Sequence, residues 1–210
     1  MADNAKRAVA ILERLKAEYP KTKHYINFTN TLELLVATIL SAQTRDTVVN
    51  GLTPALFAKY KTANDYANAS LDELTEMVAG VTYFGNKAKY IKEACAMIDA
   101  DFDGKVPGTM KELTSLPGVG RKSANAILIH GFNVIEGIAV DTHVIRLSNR
   151  MALTKESNPD KIEKDLKAIV PQSYWKTITS LMKDHGRAVC GTKPKCESCV
   201  VSSLCPKVGV

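Results

Sequence analysis

The sequence predicts an all-α fold, and three observations support this prediction. Apolar residues recur at helical spacing along most of the chain, and one stretch places Leu32, Leu35, Val36, Ile39 and Leu40 on a single face. Short turns containing glycine or proline separate these stretches. No run alternates apolar and polar residues long enough to indicate a β-strand, so NVIEGIAV and VTYF are interpreted as connectors.

Six segments carry the helical pattern. Side-chain oxygens at a helix start accept hydrogen bonds from first-turn amides, so we predict Asn86, Asp141 and Asp160 as N-caps. The first segment alternates charged and apolar residues and lacks the apolar core of a signal peptide. In chain order, the segments are 1–20, 30–43, 86–102, 141–153, 160–170 and 174–190.

Length and charge narrow the class of protein. A chain of 210 residues can bury a substantial core in one or two domains. No apolar run approaches the length of a membrane-spanning helix, so we expect a soluble cytoplasmic protein. The net charge of +6 suits a polyanionic partner, although many soluble proteins have a basic surface of this strength.

A glycine-containing turn in the segment LPGVGRKSAN, residues 116–125, is the first candidate for function. Gly118 and Gly120 flank Val119, and residues without a side chain let a ligand approach the backbone amides. Amides at the start of a helix form an anion site, and a nucleic-acid phosphate fits it. On the glycines alone, an ordinary tight helix–helix turn is a slightly better explanation than an anion site.

Arg121 and Lys122 follow the turn, where positive charge opposes the helix dipole. That position disfavours the ammonium form and so favours the free amine that a lysine nucleophile needs. Both residues could instead simply contact phosphate. Asp141, in AVDTHVIRLSNR, could assist proton transfer to such a nucleophile, or it could only cap a helix. The spacing does not show whether Lys122 and Asp141 meet.

Four of the five cysteines crowd into the last 21 residues, which in an intracellular protein indicates a metal site rather than disulfides. Their C-x5-C-x2-C-x5-C pattern suits either a tetrahedral zinc ion or a [4Fe–4S] cluster. Lys193 and Lys195 lie between the first two and are candidate phosphate contacts. The four are Cys190, Cys196, Cys199 and Cys205.

Taken together, LPGVGRKSANAIL, VDTHVIRLSNR, LLVATILSAQTRD and the terminal cysteines resemble the endonuclease III family of DNA glycosylases. The resemblance runs from about residue 5 to 206. It implies a two-domain helix–hairpin–helix glycosylase fold with a DNA-binding cleft between the domains. Residues 23–135 would form one domain, and residues 1–22 plus 136–210 would form the other, which carries the [4Fe–4S] cluster loop.

The resemblance also implies an activity and a partner. Lys122 would attack the sugar C1′ of a damaged pyrimidine nucleotide, with Asp141 assisting, and β-elimination through the Schiff base would cut the strand. The enzyme would therefore be a bifunctional glycosylase and AP lyase in base excision repair. It would act as a monomer, associated with the nucleoid, on double-stranded DNA containing oxidised pyrimidines or abasic sites.

The remaining site residues follow from the same resemblance. Gln43 would fill the gap left by the flipped base, and the 82–84 loop would form the opposite wedge, where Tyr83 replaces the usual aliphatic residue. Tyr83 could stack on bases, or it could only cap the core. The turn Leu116–Gly120 would bind phosphate, and Arg121 with it. Arg45 and His143 are further candidate DNA contacts, although a surface arginine and a helix-surface histidine are common alternatives.

Three rival interpretations remain. Adenine glycosylases of the same superfamily use a glutamate at the position of Ala37, which argues against that activity. A non-catalytic DNA-binding module would need the hairpin but not both Lys122 and Asp141. A helical protein merely stabilised by a metal would need neither the hairpin nor the pair of Lys122 and Asp141. The first cysteine interval is also one residue shorter than the family's usual x6, so the loop Gly191–Lys195 is expected to be rearranged.

Overall fold

The computed structural model describes residues 2–210, and every regular element within that range is helical, which confirms the all-α prediction. Short single-turn 3₁₀ segments supplement the α-helices near the C-terminus. The α-helices are α1 (Ala2–Glu18), α2 (Thr31–Ser41), α3 (Asp46–Lys59), α4 (Ala63–Asn68), α5 (Leu71–Met77), α6 (Phe84–Asp101), α7 (Met110–Ser115), α8 (Arg121–Ile127), α9 (Thr142–Arg150), α10 (Pro159–Ile169) and α11 (Ile178–Ala188).

The chain divides into two compact units. The central unit is Tyr25–Val134 and contains α2 to α8. The terminal unit joins the N-terminal segment ending at His24 to Ile135–Val210, and it contains α1 and α9 to α11. Within residues 2–210, none of the helices is both long and apolar enough to span a lipid bilayer.

In the central unit, every residue of α2 from Leu34 to Leu40 is buried, and α6 buries the face that includes Ile91 and Ile98. Asn30 caps the start of α2, because its side-chain oxygen accepts a hydrogen bond from the Glu33 amide at 2.9 Å. The helix after the glycine turn, α8, continues into a π-helical turn over Leu128–Phe132.

In the terminal unit, α1 packs its apolar face against α10 and α11. Ile11, Leu12 and Leu15 are fully buried in this core. The guanidinium of Arg7 donates to the carbonyls of Met151, Ala152 and Leu204, which ties α1 to the loop after α9 and to the C-terminal turns. Cys199 and Cys205 lie at the ends of those turns, so the contacts of Arg7 help to fix their positions.

One of the three predicted N-caps is correct. Asp141 caps α9, and its side chain accepts hydrogen bonds from two first-turn amides. The other two predictions are wrong. Asn86 lies inside the first turn of α6, which begins after Tyr83, and Asn158 rather than Asp160 caps α10 because Pro159 occupies its first position.

Candidate active site

The glycine turn joins α7 to α8 and requires glycine at one position but not at the other. Gly118 has φ +77°, and a Cβ built there would lie 2.9 Å from the Cβ of Tyr90. Gly120 has φ −90°, and a Cβ there would meet nothing within 4 Å. Val119 is buried between them. Gly118 therefore shapes the turn, whereas Gly120 leaves open space in front of the helix start.

Arg121 and Lys122 occupy the first two positions of α8, and both are exposed. Ala124 N donates the first backbone hydrogen bond of this helix to Gly120 O, at 2.9 Å. The first turn contains no acidic residue, and no side chain caps it. The turn thus combines two cations with the positive end of the helix dipole, an arrangement that attracts an anion.

Asp141 is held rigidly at the start of α9 in the terminal unit. Its Oδ1 accepts hydrogen bonds from the His143 and Val144 amides, both at 2.9 Å. Its Oδ2 lies 3.6 Å from His143 Nδ1, and both side chains are about one-fifth exposed. The imidazole of His143 packs against Gly186 of α11, where an added Cβ would come within 2.7 Å of the ring. Lys122 belongs to the central unit.

The structure brings Gln43 and the 82–84 loop together within the central unit. Thr82 Oγ1 donates to the carbonyl of Gln43 at 2.7 Å and lies 2.7 Å from Thr44 Oγ1. Gln43 and Tyr83 both have positive φ, 54° and 55°, a conformation that costs energy for residues other than glycine. Tyr83 is 66% exposed and Gln43 is also exposed, so both strained residues are accessible to a ligand. Arg45 is exposed just beyond them, at the start of α3.

Sequence reasoning missed Lys87, a lysine only 4% exposed that lies under this pair of loops. Its Nζ donates to the carbonyls of Leu40 and Ala42 and to Thr44 Oγ1, at 2.8, 2.6 and 2.9 Å. Burial lowers the pKa of Lys87. The available signal was its position four residues before Ile91, on the apolar face of α6.

Four cysteines of the terminal unit line one cavity of about 20 Å³ together with Arg150 and His185. Among residues 2–210, no three His, Cys, Asp or Glu side chains lie close enough together to hold a single metal ion. Arg150 Nη1 lies 3.4 Å from Cys190 Sγ, and Arg150 also donates to the carbonyls of Gly191 and Thr192. The shortened loop is therefore anchored to α9.

Lys193 and Lys195 are both exposed on that anchored loop. The fifth cysteine, Cys95, lies in the central unit on α6 and is fully buried. Burial raises the pKa of the Cys95 thiol to about 12, so it stays protonated. Cys95 is therefore a core residue.

Residues 36–172 match the profile of the HhH-GPD superfamily of base excision DNA repair proteins. The helical fold and the hairpin thus define a base excision repair protein of the helix–hairpin–helix class. Endonuclease III from Synechocystis sp. is 46% identical over 207 residues, covering 98% of this chain and 94% of that protein. Endonuclease III from Bacillus subtilis is 37% identical over 204 residues, covering 96% and 93%. The chain belongs to the endonuclease III family.

Solved structures agree with this assignment. A trapped covalent intermediate of endonuclease III with DNA superposes with a TM-score of 0.92 at 36% identity, covering 97% of this chain and 96% of that one. A thermostable thymine-DNA glycosylase, at 24% identity and a TM-score of 0.86, shares the fold. As a member of its family, the chain is a base excision repair enzyme, a bifunctional DNA glycosylase and AP lyase. The resemblance and the activity predicted from the sequence are confirmed.

Proposed function

We propose that this enzyme removes oxidised pyrimidines from duplex DNA and cleaves the resulting abasic strand through a Schiff base on Lys122. The observation that carries the proposal is the exposed lysine in the first turn of α8, directly after the glycine turn. A cation at that end of a helix is unfavourable for stability. Its presence there, in a chain of this family, indicates a catalytic amine.

The chemistry begins with extrusion of the damaged nucleotide, because its sugar is inaccessible within the stacked duplex. The Lys122 amine then bonds to C1′ as the bond between C1′ and the base breaks, and the base leaves with the bonding electrons. The sugar ring opens to a Schiff base. Loss of a C2′ proton and of the 3′ phosphate by β-elimination cuts the strand, and hydrolysis releases the lysine.

Asp141 is the carboxylate that assists these proton transfers and balances the positive charge that develops on the sugar. Its cap bonds to the α9 amides fix Oδ1, and the neighbouring His143 ring flanks Oδ2. A carboxylate so restrained keeps its orientation without reorganising during the reaction. These contacts support a catalytic role beyond helix capping.

The remaining predicted DNA contacts are of two kinds, those at the damaged base pair and those to the phosphates of the DNA backbone. Gln43 fills the gap left by the flipped nucleotide, and Tyr83 wedges from the adjoining loop, where an aromatic ring can stack on a base. The phosphate contacts are assigned to the amides of the turn at Gly118, Val119 and Gly120 and to the side chains of Arg45, Arg121, His143, Lys193 and Lys195. We further infer that the two units are the two domains of the family fold and that the enzyme acts as a monomer.

A substrate panel tests the proposed specificity. Single-turnover reactions would compare duplexes containing thymine glycol, a preformed abasic site, or adenine opposite 8-oxoguanine. We expect base release from the thymine glycol duplex and strand cleavage on both of the first two. Release of adenine from the mispair, or cleavage confined to the preformed abasic site, would contradict a pyrimidine glycosylase.

The two turn glycines give a prediction about DNA binding. Gly120→Ala is expected to leave the free energy of unfolding unchanged, because φ −90° is open to alanine and its Cβ meets nothing. The same methyl group would block the approach of phosphate to the turn, so affinity for an abasic-analogue duplex should fall. Fluorescence anisotropy and chemical denaturation measure the two quantities.

Gly118→Ala is the matched control for this prediction. Its positive φ and the contact with Tyr90 should lower the free energy of unfolding by about 1–3 kcal/mol. Wild-type DNA affinity in Gly120→Ala would show that the turn is only a connector.

We infer that the four C-terminal cysteines hold a [4Fe–4S] cluster rather than zinc. Four thiolates by themselves suit either group, and the relation of the chain to the endonuclease III family supports the cluster. A cluster binds each thiolate through its own iron and so suits four sulfurs spread around a shared cavity. When bound, it supplies a covalent link among the C-terminal turns, which the guanidinium of Arg150 supports beside Cys190.

Removing one of these cysteines should remove the cluster. Cys196→Ser is expected to lose iron and acid-labile sulfide and to unfold at a lower temperature, because the turns lose their cross-link. Cys95→Ala should keep both, since Cys95 is a buried core residue of the other unit. Metal analysis and visible absorbance of the purified proteins make the comparison. Zinc bound without sulfide in the wild-type protein would overturn the assignment.

A further inference from the structure

We propose that Lys87 is a positioning residue that holds Gln43 and Tyr83 in the arrangement needed to open duplex DNA. The proposal rests on the DNA-opening roles proposed above for these two residues. Lys87 itself is buried and touches no DNA in this scheme. It would act by fixing the loop pair, defined here as residues 42–44 and 82–84.

Lys87 contacts both members of the loop pair. Its backbone amide donates to the carbonyl of Tyr83 at 3.1 Å, which starts the hydrogen-bond ladder of α6. Its ammonium donates to the Ala42 carbonyl at 2.6 Å and to Thr44 Oγ1 at 2.9 Å, the two residues on either side of Gln43. One residue therefore joins the two loops through its main chain and its side chain.

The loop pair needs a stabilising contact because its two exposed residues, Gln43 and Tyr83, have strained backbones. Gln43 and Tyr83 adopt left-handed backbone conformations, which persist only where the surroundings over-determine them. The hydrogen bonds of Thr82 to Gln43 and Thr44 form a second connection, but they are exposed to water. The buried ammonium is shielded from that competition, so it contributes more to the loop geometry.

The acceptors of Lys87 explain why a lysine occupies this buried position. They are two carbonyls and one hydroxyl, converging from the end of α2. An ammonium has three donors and can satisfy all three at once. Without it, the buried carbonyl of Leu40 would lose this donor, and the 42–44 loop would be free to leave its strained conformation.

The same helix provides a matched control. Lys92, five residues further along α6, donates to the carbonyls of Ala67 and Ala69 at 2.6 and 2.7 Å. It anchors the turn between α4 and α5, which carries none of the proposed DNA contacts. Lys87→Met and Lys92→Met therefore each remove an ammonium bound to two carbonyls, but only the first change reaches the loop pair.

The experiment compares both variants on two substrates. One is a duplex containing thymine glycol or an abasic site, which requires opening of the stack, and the other is a single-stranded abasic oligonucleotide, which does not. Lys87→Met should slow the single-turnover duplex reaction by about 10- to 100-fold through misplacement of the wedge and leave the single-strand reaction unchanged. Lys92→Met should leave both unchanged. Lys87→Gln, which retains two donors, should be intermediate on the duplex.

A direct reading of base opening comes from 2-aminopurine placed opposite an uncleavable abasic analogue. Its fluorescence rise on binding should diminish in Lys87→Met and persist in Lys92→Met. Equal slowing of Lys87→Met on both substrates together with a lowered melting temperature, or equal duplex losses in both methionine variants, would show that Lys87 only stabilises the fold. Wild-type duplex rates in Gln43→Ala and Tyr83→Ala would also overturn the proposal.

Failure of the proposed substrate specificity would look different from failure of this inference. If the wild-type enzyme did not release thymine glycol, the comparison of double- and single-stranded abasic DNA would still test Lys87. If Lys87→Met were inactive on every substrate with a normal melting temperature, Lys87 would act in chemistry rather than in positioning.

Discussion

Lys122→Ala is expected to abolish covalent trapping of the enzyme on DNA by borohydride and to lower the single-turnover rate by about 10³-fold or more. The amine is the proposed nucleophile, and alanine offers no atom that can form the Schiff base. Because Lys122 is exposed, its removal should not lower the melting temperature. Trapping would be measured on duplexes containing thymine glycol and a preformed abasic site.

Lys111→Ala is the control for this experiment. Lys111 is an exposed lysine on α7, the helix that precedes the glycine turn. Its replacement by alanine therefore removes the same charge from the same motif. Adducts on both duplexes should persist in this variant. Adducts that survived Lys122→Ala would assign the nucleophile to another amine, and loss of DNA binding without loss of trapping would make Lys122 a phosphate contact.

Asp141→Asn is expected to lower the single-turnover rate by about 10²- to 10⁴-fold, the usual range for loss of an acid–base group. Asparagine is also a good N-cap, and its carbonyl oxygen can accept the His143 and Val144 amides in place of Oδ1. The carboxylate is thus removed while the start of α9 is kept. The rate and the melting temperature would be measured on the same preparation.

Asp141→Ala separates the two roles of this residue. It removes both the carboxylate and the cap, and it should lower the free energy of unfolding by about 0.5–2 kcal/mol beyond any effect of the asparagine variant. If Asp141→Asn kept the wild-type rate and only Asp141→Ala were impaired, Asp141 would be a structural cap alone.

Parts of this fold could be predicted because they depend on neighbours in sequence. The apolar spacing of α2 and α6 indicated helices, and Asp141 preceded a helix with the chemistry of a cap. The short helices α4, α5 and α7 were not distinguished, because each is too short to establish its own periodicity and is stabilised by packing. The longer helix α3 was also missed, and it contains Pro54, a residue that normally indicates a helix end. The N-caps of α6 and α10 were predicted at the wrong residues, because the backbone geometry at each helix start decides which of several adjacent residues is the cap.

The residues of the candidate site likewise fall into those with a local sequence signal and those defined by contacts between distant segments. Glycines, a lysine at a helix start and a cysteine pattern are local signals, so Lys122 and the turn at Gly118–Gly120 were accessible from the sequence. The sequence left zinc and [4Fe–4S] open, because spacing along a chain does not give the distances between sulfurs. Lys87 was missed since its acceptors lie more than 40 residues away.

By itself, the sequence determined an all-helical chain, the glycine turn with its catalytic candidate, and membership of a DNA-repair family through motifs that are contiguous. Only the tertiary structure decided that Gln43 and the 82–84 loop, 39 residues apart, share hydrogen bonds, and that four cysteines border one cavity. The physical reason is that a local conformation depends on adjacent residues, whereas a contact between distant segments depends on how the whole core packs.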